Sequence, residues 1–286
     1  MRPEAIAVLS AMGWAGDAVL VRLGARTSNI IAAAFMSYAF AALLLWVYLF
    51  VYVPFGLLWS PATLYFLLSG CLQPLLARIL YYIGVTRIGV SRAGPLRGAE
   101  PVLSISLAIA FLHEHPNSFV YWGTALIMAS VWLILWRRSG EARWKVFDVL
   151  FPLGAAFCGA VSQNLRKGGL LILPHPYIGA AISTSMSLVI FSVFLLVTRK
   201  IRLAVPDRES LPFFGSAALL SASAQILHFA ALNGGEVSAM VPLLNTTPLF
   251  TVLFSALFLR DVEKVNLRIV LGAVLMFAGV VIIAGR

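Results

Sequence analysis

The chain of 286 residues is 61% hydrophobic and only 11% charged, against roughly 45–50% and about 25% in an ordinary soluble domain. It therefore reads as an all-α integral membrane protein. Its formal net charge of +10 does not imply a nucleic-acid partner, because the basic residues sit in short clusters between apolar runs, where positive charge orients membrane spans.

In chain order, the first apolar run, Ala5 to Val21, follows a short polar start and carries Asp17 with no convincing cleavage site, so it is expected to be a retained helix and not a signal peptide. Runs of about 20 residues, each enough to cross roughly 30 Å of hydrocarbon, follow at Ile30 to Val53, Ala62 to Val85, Ala93 to Leu112 and Phe119 to Trp136. After the charged stretch RRSGEARWKVFD the pattern resumes at Val149 to Leu165, Tyr177 to Val197, Pro212 to Leu232, Val237 to Leu259 and Leu267 to Ala284. The expectation is ten transmembrane helices, with halves at 1–138 and 149–286 joined by a linker at 139–148. No run alternates with period two, which excludes a membrane β-barrel. Cys71 and Cys158 lie inside apolar runs, so they form no disulfide framework and read as packing residues.

The two halves share a sequence. The stretch Val90 to Glu114 recurs as Val237 to Asp261 at a constant offset of 147 residues, which places Pro95 on Pro242 and Pro101 on Pro248. A weaker match at offset 144 sets Leu9, Ala11, Arg22 and Gly24 on Leu153, Ala155, Arg166 and Gly168. A fixed-offset repeat marks a duplicated unit. Five spans per unit is an odd number, so the second copy enters the bilayer from the opposite face and the halves are inverted repeats.

The stretch YYIGVTRIGVSRAGPLRGAEPVLSISLAIAFLHE, followed by WGTALIMASVWLIL, resembles the repeat of the EamA-like branch of the drug/metabolite transporter superfamily. It has an aromatic pair, the segment GVSRA, a proline after glutamate, an acidic residue closing the fourth span and a glycine in the fifth. Trp14, Ala15 and Gly16 are similar to that family's tryptophan–glycine pair, with an inserted alanine and a following aspartate. The resemblance implies a transporter and leaves its substrate open.

Polar residues within the spans carry the chemistry, since a charge at the bilayer centre costs about 2.5 to 3.5 kcal/mol and is normally directed at a partner or a watery cavity. Asp17, Arg78, Arg97 and Glu100 are such charges. Arg97 and Glu100, three residues apart, share a helix face and form either an internal ion pair or part of a lining with both signs of charge. Arg78, Tyr81 and Tyr82 share a face and fall on Gln225, His228 and Phe229 of the second half; Arg97 and Glu100 fall on Leu244 and Thr247, with Asn245 between them. The expected substrate cavity is lined by Trp14, Asp17, Tyr38, Arg78, Tyr81, Tyr82, Arg97, Glu100, Gln163, Gln225, His228, Asn245 and Thr247. Pro95, Pro101, Pro242 and Pro248 would interrupt its helices, or would be tolerated kinks that touch no substrate. Asn164 and Ser183 to Ser185 serve either that lining or helix packing. His113, Glu114 and His115 do not share a helix face, and no metal or other cofactor is expected. Trp122, Trp136 and Trp144 read as interfacial anchors.

No nucleophile, metal cluster or pair of acids near an interface suggests an enzyme, and no phosphate-cradling glycine loop suggests ATP. The expected function is a secondary carrier, exporter or facilitator, working as a monomer on a small amphipathic metabolite. Amino acids lead, with the substrate carboxylate on Arg78 or Arg97 and its amine on Asp17 or Glu100; proton-coupled multidrug efflux is the alternative. Fifteen basic residues fall in the odd-numbered loops (Arg22, Arg26, Arg87, Arg92, Arg137, Arg138, Arg143, Lys145, Arg199, Lys200, Arg202, Arg208, Arg260, Lys264 and Arg268) and four on the other side (Arg2, Arg166, Lys167 and Arg286). The positive-inside rule then puts both termini outside the cytoplasm, in a multi-pass protein of the plasma or bacterial inner membrane.

Overall fold

The computed structural model describes residues 1–135, 145–258 and 267–285. Trp136, Trp144, the linker arginines and the Asp261 counterpart of Glu114 lie outside the described residues. Within them every regular element is helical. The first half holds α1 (Pro3–Gly24), α2 (Ile30–Tyr52), α3 (Ala62–Gly70), α4 (Ala77–Ile88), α5 (Val90–Arg97), α6 (Glu100–Leu112) and α7 (Ser118–Leu135). The second holds α8 (Leu150–Ile172), α9 (Pro176–Val197), α10 (Leu211–Gly234), α11 (Val237–Leu244), α12 (Thr247–Phe258) and α13 (Leu267–Ala284).

Six stretches are long and apolar enough to cross a bilayer: α1, α2, α3 continued through α4, α9, α10 with the short turns before it, and α11 continued into α12. α6, α7 and α13 contribute shorter apolar helices. The outer faces match a hydrocarbon solvent, with Phe111, Trp122, Phe277 and Val274 exposed by 74%, 71%, 70% and 63%. Side chains of this size left bare in water would drive aggregation.

Three helical runs are broken: α3–α4 and α11–α12 among the six, and α5–α6. Gln73 precedes Pro74, and a residue before proline avoids the helical region; its φ of −135° and ψ of 129° open a kink between α3 and α4. α5 stops at Arg97, and α6 restarts at Glu100 with Pro101 in its first turn, where proline's missing N–H costs nothing. α11 stops at Leu244 and α12 restarts at Thr247, so the second break repeats the first at the same 147-residue offset.

The largest boundary difference from the sequence reading is at the end of α8. α8 runs on to Ile172 and not to Leu165, so Arg166 and Lys167 belong to a helix and not to a loop. The run of Gln163, Asn164, Arg166 and Lys167 lowers its apolar signal, yet the helix continues because each of these side chains finds a partner inside the bundle. Arg22 and Arg87 likewise sit in the last turns of α1 and α4.

Small residues let the helices approach closely. α1 packs on α10 through its small residues: a Cβ on Gly13 would stand 2.9 Å from the Ala224 Cβ, and one on Gly16 would stand 2.8 Å from the Leu220 side chain. Ser10 Oγ donates to the Ala224 carbonyl there at 2.8 Å. α7 and α13 pack chiefly on each other at Gly123 and Gly279, where a Cβ on Gly279 would stand 2.8 Å from the Gly123 carbonyl.

Contacts come in matched pairs. α1 packs on α10 and α8 on α3 and α4; α1 meets α11 and α12 while α8 meets α5 and α6; α2 meets α10 while α9 meets α3. α2 with α9 and α7 with α13 are pairs between equivalent members of the two halves.

Candidate functional site

The polar side chains of the helices gather in two linked groups. The first joins α1, α2 and α4. Asp17, Tyr38 and Tyr82 all lie within charge-interaction range of Arg78. Asp17 Oδ1 is buried and receives no hydrogen bond. Arg78 itself is exposed in the bundle as it stands. Tyr38 meets Phe191 of α9 edge-on at 6.1 Å, and half-buried Trp14 lies one turn before Asp17.

Tyr82 and Tyr81, with ring centroids 6.1 Å apart, lead to the second group, because Tyr81 interacts electrostatically with Arg97. Arg97 Nη1 donates to Glu100 Oε2 in a close ion pair across the α5–α6 break. Glu100 is 3% exposed and lies against Gly159 of α8, where a Cβ would fall 2.7 Å from its carboxyl carbon. Its second oxygen, Oε1, accepts from Gln163 Nε2 at 3.3 Å. Gln163 Oε1 in turn lies 2.7 Å from His228 Nε2 of α10, and the same ring nitrogen lies 3.2 Å from Arg166 Nη1. Arg166 Nη2 reaches the carbonyl freed at Gln73 by the α3–α4 kink, at 3.4 Å. The Arg166 guanidinium sits over the Phe229 ring, 5.2 Å from its centroid.

This chain has an internal polarity. With Gln163 donating its amide to the Glu100 carboxylate, its oxygen must accept from His228, so the Nε2 proton points at Gln163. One ring nitrogen cannot donate there and also accept from Arg166. Among the described residues, the buried Arg166 guanidinium therefore has one acceptor, a carbonyl at the long end of the hydrogen-bond range, and its Nε has none.

Not every expected residue joins the two groups. Asn245 Nδ2 and Thr247 Oγ1 bond the carbonyls of Val241 and Leu244 at 2.9 and 3.0 Å, which seals the α11–α12 break with its own side chains. Gln225 is buried one turn before His228 on α10. Ser183 and Ser185 serve helix packing: Ser69 Oγ donates to Ser183 Oγ at 3.2 Å, and Trp46 Nε1 donates to Ser185 Oγ at 2.8 Å. Asn164 bonds the Ser104 carbonyl of α6 at 3.1 Å. Pro95 and Pro242 lie within α5 and α11; Pro101 and Pro248 open the helices that follow the breaks.

Sequence reasoning missed three features. Arg166 was placed among the loop residues, and Gln73 was not singled out, although Pro74 after it is a visible signal of a kink. The third is Glu114, which lies beyond α6, where His113 adopts the left-handed conformation that often closes a helix. Its two carboxylate oxygens accept the first amides of α11, from Val237 at 2.7 Å and Ser238 at 2.9 Å. Nearby, Lys167 Nζ donates to the Leu232 and Gly235 carbonyls at the end of α10, at 2.9 and 2.8 Å. Among the described residues no group of three His, Cys, Asp or Glu side chains could hold a metal.

A helical membrane protein that buries ionised side chains among broken helices belongs to the transport class of folds. The comparisons narrow that class. The model of the EamA-like transporter family matches residues 1–136 and again 147–285, and the chain belongs to that family, whose members are transporters and not enzymes. A solved protein crystal structure that is 11% identical has the same fold, with a TM-score of 0.74 over 99% of this chain and 96% of that one. No curated protein sequence matches the chain.

Proposed function

We propose that the protein is a secondary carrier of small amphipathic metabolites, with amino acids and related zwitterions as the leading class. Its ten spans would form two inverted five-helix repeats, 1–138 and 149–286, that rock about the buried polar groups to expose them alternately on each face. The single observation that carries this reading is the continuous run of polar groups from Asp17 and Arg78, through Tyr82, Tyr81, Arg97 and Glu100, to Gln163, His228 and Arg166.

The depth of these groups supports it. At about 1.5 Å per residue, and with the spans alternating in direction, Asp17, Tyr38 and Arg78 stand about 5 Å from the helix midpoints toward one face. Glu100 is near the centre, and Gln163, Arg166 and His228 lie about 3 to 8 Å toward the other. The matched helix contacts of the two halves and the paired α5–α6 and α11–α12 breaks are what an inverted duplication would give. Both signs of charge suit a zwitterion, whereas three guanidiniums beside two carboxylates suit a lipophilic cation poorly.

The test is counterflow in proteoliposomes over a panel of amino acids, organic acids and cationic drugs, with product analysis. Movement of unaltered amino acids supports the reading, and exclusive movement of cations sinks it. The excess of basic residues in the odd-numbered loops supports an orientation with both termini outside the cytoplasm. A C-terminal reporter active only in the cytoplasm should be silent, and an active one reverses the orientation.

A further inference from the structure

The arginines of the polar run differ in how their charge is met. Arg97 is paired with Glu100, and Arg78 is exposed with Asp17 nearby. Arg166 is 3% exposed, and its contacts are a histidine nitrogen whose proton points elsewhere and one carbonyl at 3.4 Å. Glu100 acts on it only through space. A buried cation without a matched anion is among the most costly arrangements a helix bundle can hold.

The unmet part of Arg166 has a shape. Nη1 faces His228, while Nε, which lacks any partner, lies on the same edge of the guanidinium plane as Nη2. Two parallel N–H groups on one edge match the two oxygens of a carboxylate. Gln73 supplies the Nη2 contact through its carbonyl, and its side-chain Oε1 is likewise buried without a donor. Phe229 stacks under the guanidinium and meets Phe66 edge-on at 6.0 Å, so the surroundings are apolar.

Resting on the carrier reading above, we propose that the Nε/Nη2 edge of Arg166 is the seat of the substrate's carboxylate, with the Gln73 carbonyl holding the guanidinium at Nη2 and Gln73 Oε1 offered to the substrate's ammonium. The anchor is therefore Arg166 in the second half, not Arg78 or Arg97 in the first. A bound carboxylate supplies the acceptors the guanidinium lacks. Because Arg166 is buried, substrate reaches it only as the helices around it part, which couples binding to the motion.

The test is counterflow of L-leucine into proteoliposomes, with competition by 4-methylpentanoate, which lacks the amine, by L-leucinamide, which lacks the carboxylate, and by inorganic phosphate. Arg166→Lys keeps the charge and removes the fork; Arg166→Met removes a buried charge and should fold, since apolar replacement of such groups is often tolerated. Both variants should lower the apparent affinity for L-leucine and 4-methylpentanoate by about 10- to 100-fold and leave the weak competition by L-leucinamide unchanged. Thermal stabilisation of the wild type gives a readout free of variants: L-leucine should raise the melting temperature and L-leucinamide should not. Equal stabilisation by both, or undiminished leucine affinity in folded variants, overturns the anchor alone. Competition by phosphate but not by 4-methylpentanoate also overturns it. A wild type that neither moves nor is stabilised by any probe overturns the carrier reading along with it.

Discussion

Gly159→Ala is the sharpest test of the polar run, because it adds one methyl group beside Glu100 and nothing else. The new Cβ would fall 2.7 Å from both the carboxyl carbon and Oε2 and 2.9 Å from Oε1, roughly 0.5 to 0.7 Å inside an ordinary contact. Glu100 cannot swing into solvent at 3% exposure, and it is held by Arg97 on one oxygen and by Gln163 on the other. A retreat of that size stretches the 3.3 Å Gln163 bond past the limit of a hydrogen bond. Overpacking costs about 1–3 kcal/mol, a hydrogen bond to a charged group about 1.5–3, and the helix gains back about 1 from replacing glycine. The net is about 1.5–5 kcal/mol of destabilisation. Thermal unfolding in detergent reads it, with Gly154→Ala on the same helix as control, since its Cβ would meet only Leu80 at an ordinary 3.6 Å. If Gly159→Ala melts no lower than Gly154→Ala, the tight seating of Glu100 against α8 is wrong.

Three further outcomes follow from the same geometry. Glu114→Ala strips the acceptor from two buried amides at the start of α11 and should cost about 2–4 kcal/mol; an unchanged melting temperature would remove Glu114 from the link between α6 and α11. Gly279→Leu should force α13 off α7, because even its Cβ would meet the Gly123 carbonyl and Ile127 at 2.8 Å, and size-exclusion chromatography should show loss of the folded species. The hydrogen bond from Arg87, then the backbone N–H of Lys145, hold the Asp148 carboxyl below the ordinary carboxylate range. A depressed value means that the carboxylate stabilises the fold at neutral pH and that this contribution is lost as pH falls through it. The melting difference between wild type and Asp148→Asn should therefore shrink below about pH 4, and a difference that grows on acidification contradicts the pairing.

The helices were legible because a membrane chain writes them in runs of apolar residues, and the α5–α6 and α11–α12 breaks were legible because their prolines repeat at one offset. The end of α8 was not. Arg166 and Lys167 side by side look like a loop, and the offset that sets Arg166 on Arg22 points the same way, since Arg22 does end its helix. What extends α8 is tertiary: the Gln73 carbonyl and a carbonyl of α10 receive those side chains from far along the chain. The Arg97–Glu100 pair could be read from a spacing of three. The Gln163–His228 bond, between residues 65 apart on separate helices, had no local signal at all. Asn245 and Thr247 show what a spacing argument leaves out: a short polar side chain beside a helix break can bond nearby backbone, as both do here.

The duplication explains the scaffold and not the site. Both halves break the same span at the same place, yet Gly98 and Ala99 turn one break while Asn245 and Thr246 turn the other, and Glu100 bonds Arg97 and Gln163 where Thr247 bonds the Leu244 carbonyl at the end of α11. Tyr81 corresponds to His228, and Arg97 to Leu244. If the polar residues had been copied with the backbone, the bundle would hold two equivalent half-sites, and a small substrate would bind in either of two opposed orientations. Divergence of the side chains removes that degeneracy. Arg97 and Glu100 from the first half and Gln163, His228 and Arg166 from the second make one run with one direction. The Glu100–Gln163 contact joins α6 of one half to α8 of the other, so in the proposed rocking of the halves a matched backbone would supply two related conformations and the asymmetric polar run would let a substrate bias them.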